Sequence, residues 1–173
     1  GQFKVIEQII NLFRTYLQMF FKFSYSYICF EIDRNLNKGM QLWKKFNGLN
    51  SLFLMLLLGT VFLFADFVLR FFKVEEALLP EFTGYLHVAL IIPLFIGVTL
   101  PMEQLLFSLN KNKHYIRITI ASTLLNAFGI AISMAFFGLR EAFFMLILTE
   151  LSLSCIYLLI LKPYFAASNT TLQ

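Results

Sequence analysis

The sequence predicts an all-α polytopic membrane helix bundle of about five transmembrane helices, and three observations carry that expectation. Hydrophobic residues make up 59% of the 173 positions and charged residues 14%, whereas an ordinary soluble domain carries about 25% charged residues. Long apolar runs recur along the chain, and a spanning helix needs about 20 such residues. The Lys and Arg residues collect in the short gaps between those runs, where membrane proteins place them to set orientation. A globule of this length has too little interior to hide 22 Phe and so much other apolar surface.

The first segment, Phe3 to Phe30, is amphipathic. Its polar residues are Lys4, Glu7, Gln8, Asn11, Arg14, Thr15, Gln18 and Lys22. On a helix they share an arc of about 120°, and the remaining surface is Phe, Ile, Leu, Val, Met and Tyr. Two environments suit such a helix. It can span the membrane with its stripe toward a water-filled cavity, or lie flat in the interface. The apolar residues that continue to Phe30 favour spanning, over about 5–30. The second span is expected at 49–71, with Asp66 as the charge in its run; the third at 85–109, with Glu103 and, near its start, His87. The fourth, 115–138, contains the uncharged run Ile118 to Leu139, and the fifth, 141–162, carries Glu150. Residues 1–163 thus form the transmembrane bundle. Residues 164–173 form a cytoplasmic tail, whose small polar stretch Ala166–Gln173 is expected to be disordered. The chain opens on Gly1, directly in a helical pattern, and is expected to be a fragment.

Orientation follows from counting cations. The gap Glu31–Asn47 holds Arg34, Lys38, Lys44 and Lys45, and Asn110–Arg117 holds Lys111, Lys113 and Arg117 without an acid. Arg70–Glu81 and Gly138–Glu141 are balanced or acidic. Basic-rich and basic-poor gaps alternate, so 31–47, 110–117 and the tail from Lys162 are expected in the cytoplasm. The net charge of +4 is spread among these gaps and does not indicate nucleic acid.

Catalytic signatures such as HExxH, CxxC, a P-loop or GxSxG are absent, and His87 and His114 lie far apart in the sequence. No enzyme activity, cofactor or metal is expected. Cys29 and Cys155 sit in apolar stretches and read as buried free thiols. The intramembrane charges are then the functional candidates, because a charge at bilayer depth costs at least about 2.5–3.5 kcal/mol on insertion scales. Arg14 and Lys22, with Lys4, Asn11 and Gln18 on the same stripe, form a cationic path for a negatively charged substrate, partly balanced by Glu7. In the structural alternative, Lys4 and Lys22 snorkel and Arg14 pairs with a carboxylate. Glu150 is either a coupling site or that partner. Asp66 and Glu103, near the ends of their spans, are weaker candidates of the same kind. Pro93, Gly97 and Pro101 mark the third span as a kinked or broken helix and a hinge. Thr119, Ser122, Thr123, Asn126, Gly129 and Ser133 recur at helical spacing, a pattern that lets helices pack closely; Asn126 is also assigned to the path.

The stretch LNKNKHYIRITIASTLLNAFGIAISMAFFGLREAFFMLILTE, Leu109 to Glu150, resembles the later helices of bacterial polysaccharide flippases, the lipid-linked oligosaccharide (O-antigen type) exporters of the MOP transporter superfamily. The matching features are the basic loop Asn110–Lys113, Asn126, the turn Phe137-Gly138 and Glu150. The opening GQFKVIEQIINLFRTYLQMFF resembles the family helix that begins the cavity wall of the second bundle. The resemblance implies the C-terminal part of a two-bundle transporter in the bacterial inner membrane, with its C-terminus cytoplasmic. It implies flipping of undecaprenyl-pyrophosphate-linked oligosaccharide repeats by alternating access, with a missing N-terminal helical bundle and membrane lipids as partners. The alternatives are a multidrug exporter of the same superfamily, a membrane enzyme of glycan assembly, and a helical membrane subunit with no solute path.

Overall fold

A computed structural model of the chain describes residues 3–136 and 139–169, and every regular element among them is a helix. In order these are α1 (Phe3–Arg34), α2 (Leu36–Leu63), α3 (Ala65–Phe71), a single 3₁₀ turn (Glu76–Leu78), α4 (Leu79–Ala89), α5 (Ile91–Ser108), α6 (Asn112–Phe136) and α7 (Leu139–Asn169). Four stretches are long and apolar enough to cross a membrane: Leu36–Leu63, Glu76–Ser108, Asn112–Phe136 and Phe144–Ala166. The protein is a polytopic all-α membrane protein. α1 is not in that set, because its polar stripe lowers its hydropathy.

α1 and α2 form a tight antiparallel hairpin. Asn35 separates them and caps α2, its side chain accepting from the Lys38 backbone N–H at 3.1 Å, which satisfies one of the free donors of a helix start. Pairings then step in opposite directions along the two helices: Tyr27 against Phe46, and Tyr16 against Asn50 and Phe53. The hairpin closes over Gly39, where a Cβ would stand 2.5 Å from Ile32 Cγ1 and 2.6 Å from the Ile32 Cα. The region 31–47, expected as a gap between spans, is therefore helical apart from Asn35. Its cations Lys38, Lys44 and Lys45 are exposed while Met40, Trp43 and Asn47 turn inward.

The run expected as a continuous span over 49–71 is divided at Phe64 into α2 and α3, and Thr83 of α4 donates a hydrogen bond to Asp66 of α3. α3 ends in a left-handed residue, Lys73 (φ 61°), with Val74 N–H bonding to Leu69 O and Lys73 N–H to Arg70 O, a Schellman arrangement. Within the expected span 85–109 the two prolines behave differently. Pro93 has no N–H for the Ala89 carbonyl, and the helix breaks there, at Leu90, between α4 and α5. Pro101 lies inside α5 without ending it, and the Trp43 indole donates to its carbonyl at 3.0 Å. At the other end, α7 runs on through Pro163 to Asn169, so the first half of the tail expected to be disordered, Ala166–Asn169, is helical; residues 170–173 and the Phe137–Gly138 turn lie outside the described residues. The two thiols also depart from expectation. Cys29 is half-buried, and Cys155 is exposed on the outside of α7.

α5 is the centre of the bundle, packing against α1, α2 and α7, with α6 outside on α7. The interior divides into two apolar clusters. One gathers Ile6, Phe13, Leu17 and Phe21 of α1 with Leu54, Leu58, Leu69, Leu86, Ile92 and Ile96. The other gathers Ile28 and Ile32 of α1 with Met40, Trp43, Met102, Leu105, Tyr157 and Leu161. Four helices change from one cluster to the other across polar residues. The transitions are Ser24 in α1, Asn47 and Asn50 in α2, Thr99 in α5, and Thr149 with Glu150 in α7. All but Glu150 are buried. A polar waist separates two greasy halves.

Candidate functional site

α1 contributes to both clusters, and its surface divides into three sectors. Ile6, Ile9, Ile10, Phe13, Leu17, Phe21, Ser24 and Ile28 are buried against the bundle. The stripe Lys4, Glu7, Gln8, Asn11, Arg14, Thr15, Gln18 and Lys22 is exposed throughout. A third sector, with Leu12, Met19, Phe23 and Phe30, is exposed and apolar. The stripe therefore borders packed protein on one side and a greasy surface on the other.

Where the stripe meets α5 there is an open cavity of about 430 Å³. Gln18, Phe21, Lys22 and Tyr25 form its α1 wall, and Leu100, Glu103, Gln104 and Phe107 its α5 wall. Gln104 locks the walls together: its Nε2 donates to the Phe21 carbonyl at 3.0 Å and lies 3.4 Å from Ser24 Oγ, while its Oε1 has no partner. Below it, Ser108 donates to the Gln104 carbonyl, and the Ser108 hydroxyl lies 3.0 Å from Cys29 Sγ.

The two acids of α5 and α7 are held at the waist by hydroxyl donors. Tyr157 Oη–H, wholly buried, donates to Glu103 Oε1 at 3.2 Å. Thr99 Oγ–H donates to Glu150 Oε2 at 3.1 Å. The two carboxyl groups lie within electrostatic reach of one another, and Arg14 acts on Glu150 from α1. Among the described residues Arg14 makes no direct ion pair; its coupling to Glu150 is through space, and the guanidinium stays exposed.

The structure thus brings Arg14, Gln18, Lys22, Glu103 and Glu150 to one region. Lys4, Glu7 and Asn11 continue the stripe toward the start of α1. Asp66 is elsewhere, joining α3 to α4. Asn126, assigned to the path from sequence, is half-buried on α6 with its Oδ1 unpartnered, one helical turn from Ser122 and Gly129. Of the small-residue face of α6, Ser122 and Gly129 lie against α7, Ser133 is buried and Thr119 half-buried, whereas Thr123 is exposed. Pro93 sits beside the α4–α5 break. At Gly97 α5 approaches α2 so closely that a Cβ would collide with the Leu54 side chain.

Sequence reasoning missed Asn47, Asn50, Tyr16 and Tyr157. Tyr16 Oη–H donates to Asn50 Oδ1 at 2.7 Å, and Asn47 Nδ2 donates to the Trp43 carbonyl at 2.8 Å. Asn47 Oδ1 and Asn50 Nδ2 are buried without partners. The signal was present in the spacing Met40, Trp43, Asn47, Asn50, Leu54, Leu58, one helical seam whose two middle members are polar.

Among the described residues no three His, Cys, Asp or Glu gather as metal ligands. Fold and site define a polytopic membrane protein with a charged, exposed helix face beside a polar-waisted bundle. No family model, curated protein or solved structure matches the chain.

Proposed function

We propose that this chain is the second-bundle part of a bacterial inner-membrane transporter that flips undecaprenyl-pyrophosphate-linked oligosaccharides, and that the α1 stripe lines the route. One observation carries the reading. α1 is buried along its length against two stretches that are long and apolar enough to span, α2 and Glu76–Ser108 with α5 at its end, yet its cationic stripe remains exposed. A helix paired antiparallel with a spanning helix shares its depth, which favours α1 as a fifth span over a helix lying in the interface. Exposed charge at that depth needs water. Lys4, Arg14 and Lys22 then lower the barrier to a pyrophosphate, as point charges and hydrogen-bond donors. Gln18 and Asn11 supply neutral hydrogen bonds between them.

In this reading Glu150 and Arg14 balance one another when the route is empty, and an arriving pyrophosphate competes with Glu150 for Arg14. Pro93, beside the Leu90 break, and Pro101 serve as hinge elements while the two bundles rock. The basic gaps orient the C-terminus toward the cytoplasm.

Replacing Arg14 with Ala in the full-length protein is expected to abolish polymer export in a complementation assay, while leaving efflux of cationic dyes unchanged. Unchanged polymer export would count against the assignment, and loss of dye efflux instead would favour a multidrug exporter.

A further inference from the structure

We propose that the cavity between α1 and α5 is a sugar-ring subsite, taking the pyranose nearest the pyrophosphate while Arg14 holds the phosphates. The inference rests on the flippase reading and adds to it a place and a chemistry for the saccharide.

Three features of the cavity point to a polyhydroxylated ring. Its volume of about 430 Å³ falls within the roughly 300–1,000 Å³ of small-molecule sites. Three aromatic rings border it, Phe21 and Tyr25 from α1 and Phe107 from α5. The faces of aromatic rings are electron-rich, and one face of a pyranose presents a patch of weakly positive C–H bonds. A phosphate alone would gain nothing from three rings, an ammonium group drawn to their faces would meet the like charge of Lys22 beside them, and a lipid tail would gain nothing from the polar groups among them.

Those polar groups are the second feature. Glu103 and Gln104 stand side by side on α5, and Lys22 faces them from α1. A carboxylate accepts, an ammonium donates and an amide does both, so together they match hydroxyl groups, which also do both. The third feature is Gln104 itself. Only 5% exposed, it uses its amide nitrogen to tie α1 to α5 and leaves Oε1 without a donor. A buried unpaired acceptor is costly by about 1–3 kcal/mol, and a hydroxyl donor entering the cavity meets that need. Position agrees with this assignment: Gln18 and Lys22 follow Arg14 by one and two helical turns on the same stripe, so a ligand anchored at Arg14 has its next group at the cavity mouth.

The test measures binding of two ligands to the full-length protein in nanodiscs by thermophoresis. One is polyprenyl-pyrophosphoryl-N-acetylglucosamine, the other the same polyprenyl pyrophosphate without sugar. The sugar-bearing lipid is expected to bind about tenfold more tightly. Tyr25→Ala, at a partly exposed position where folding should survive, is expected to erase the difference, while affinity for the sugarless lipid stays as it was. Phe107→Leu is expected to reduce the difference from the other wall. Arg14→Ala should weaken both ligands by the same factor. Equal affinities for the two lipids would overturn the subsite and leave the flippase reading standing. A preference that survives both Tyr25→Ala and Phe107→Leu would overturn it as well. If neither lipid binds, the flippase reading falls and the subsite falls with it.

Discussion

α1 and α6 are both long helices that leave much of their surface uncovered, and they do so for opposite reasons. α1 is buried along one side by α2 and α5 and exposes Lys, Arg, Gln and Asn beside that seam. α6 leans on α7 through small residues, with only Ser133 fully buried, and exposes Ile116, Ile120, Leu124, Leu125, Phe128 and Ile132. Exposure alone therefore says little about surroundings in such a protein. The chemistry of what is left uncovered says more: α6 is shaped for lipid or another apolar helix, whereas one face of α1 is shaped for water.

The largest expected effect tests the packed side of α1. At Gly39 an added Cβ meets not only a side chain but the Cα and N of Ile32, at 2.6 Å each. Backbone cannot swing aside, so Gly39→Val must open the α1–α2 hairpin. Overpacking usually costs about 1–3 kcal/mol and more where nothing can yield; here the expected outcome is loss of folded protein, read as yield and thermal unfolding in detergent. A normal melting curve would mean that α1 is less firmly held than the buried seam implies.

The next effect addresses the uncovered faces directly. Thr15→Arg adds a charge inside the α1 stripe, and Ile120→Arg adds one to the outward face of α6. In a membrane-insertion assay Ile120→Arg is expected to lose about 2.5–3.5 kcal/mol, the usual figure for a charge at a helix centre, and Thr15→Arg almost nothing. Equal penalties at the two positions would erase the distinction between the helices.

Much of this architecture was legible from sequence, and the parts that were not share a physical cause. Hydropathy is a one-dimensional signal, and runs such as Ile118 to Leu139 announce themselves. The polar stripe of α1 was visible as well, because it obeys the helical period. The helical start of α2 was hidden because Lys38, Lys44 and Lys45 raise local polarity, although they point outward while Met40 and Trp43 hold the seam. Pro93 and Pro101 looked alike in sequence. One falls where the chain breaks and the other within a helix clamped by Trp43, a difference fixed by tertiary packing. The waist was the least legible. Thr99, Asn47 and Asn50 are uncharged, and only contact between helices shows that they meet at one level with Glu150.

A smaller effect probes that waist. Tyr16 and Asn50 are joined by a 2.7 Å hydrogen bond between α1 and α2. Asn50→Ala and Tyr16→Phe are each expected to lower stability by about 0.5–1.5 kcal/mol, the net value of one hydrogen bond. The double variant should lose less than the sum of the two, because both changes remove the same contact. Additive losses in chemical denaturation would show that Tyr16 and Asn50 act independently.

The smallest effect is on the α6 side and contrasts with Gly39. A Cβ at Gly129 would also come within 2.5 Å of a neighbour, but that neighbour is the terminal methyl of Met145. Methionine is unbranched and flexible, so its end can move without disturbing a backbone. Replacing a helical Gly with Ala gains about 1 kcal/mol of helix propensity, and repacking Met145 uses up part of that gain. Gly129→Ala is therefore expected to be neutral to slightly stabilising in thermal unfolding. A loss above about 1 kcal/mol would mean that α6 is gripped by α7 as tightly as α1 is by α2. The two helices would then differ only in what they expose, and no longer in how firmly the bundle holds them.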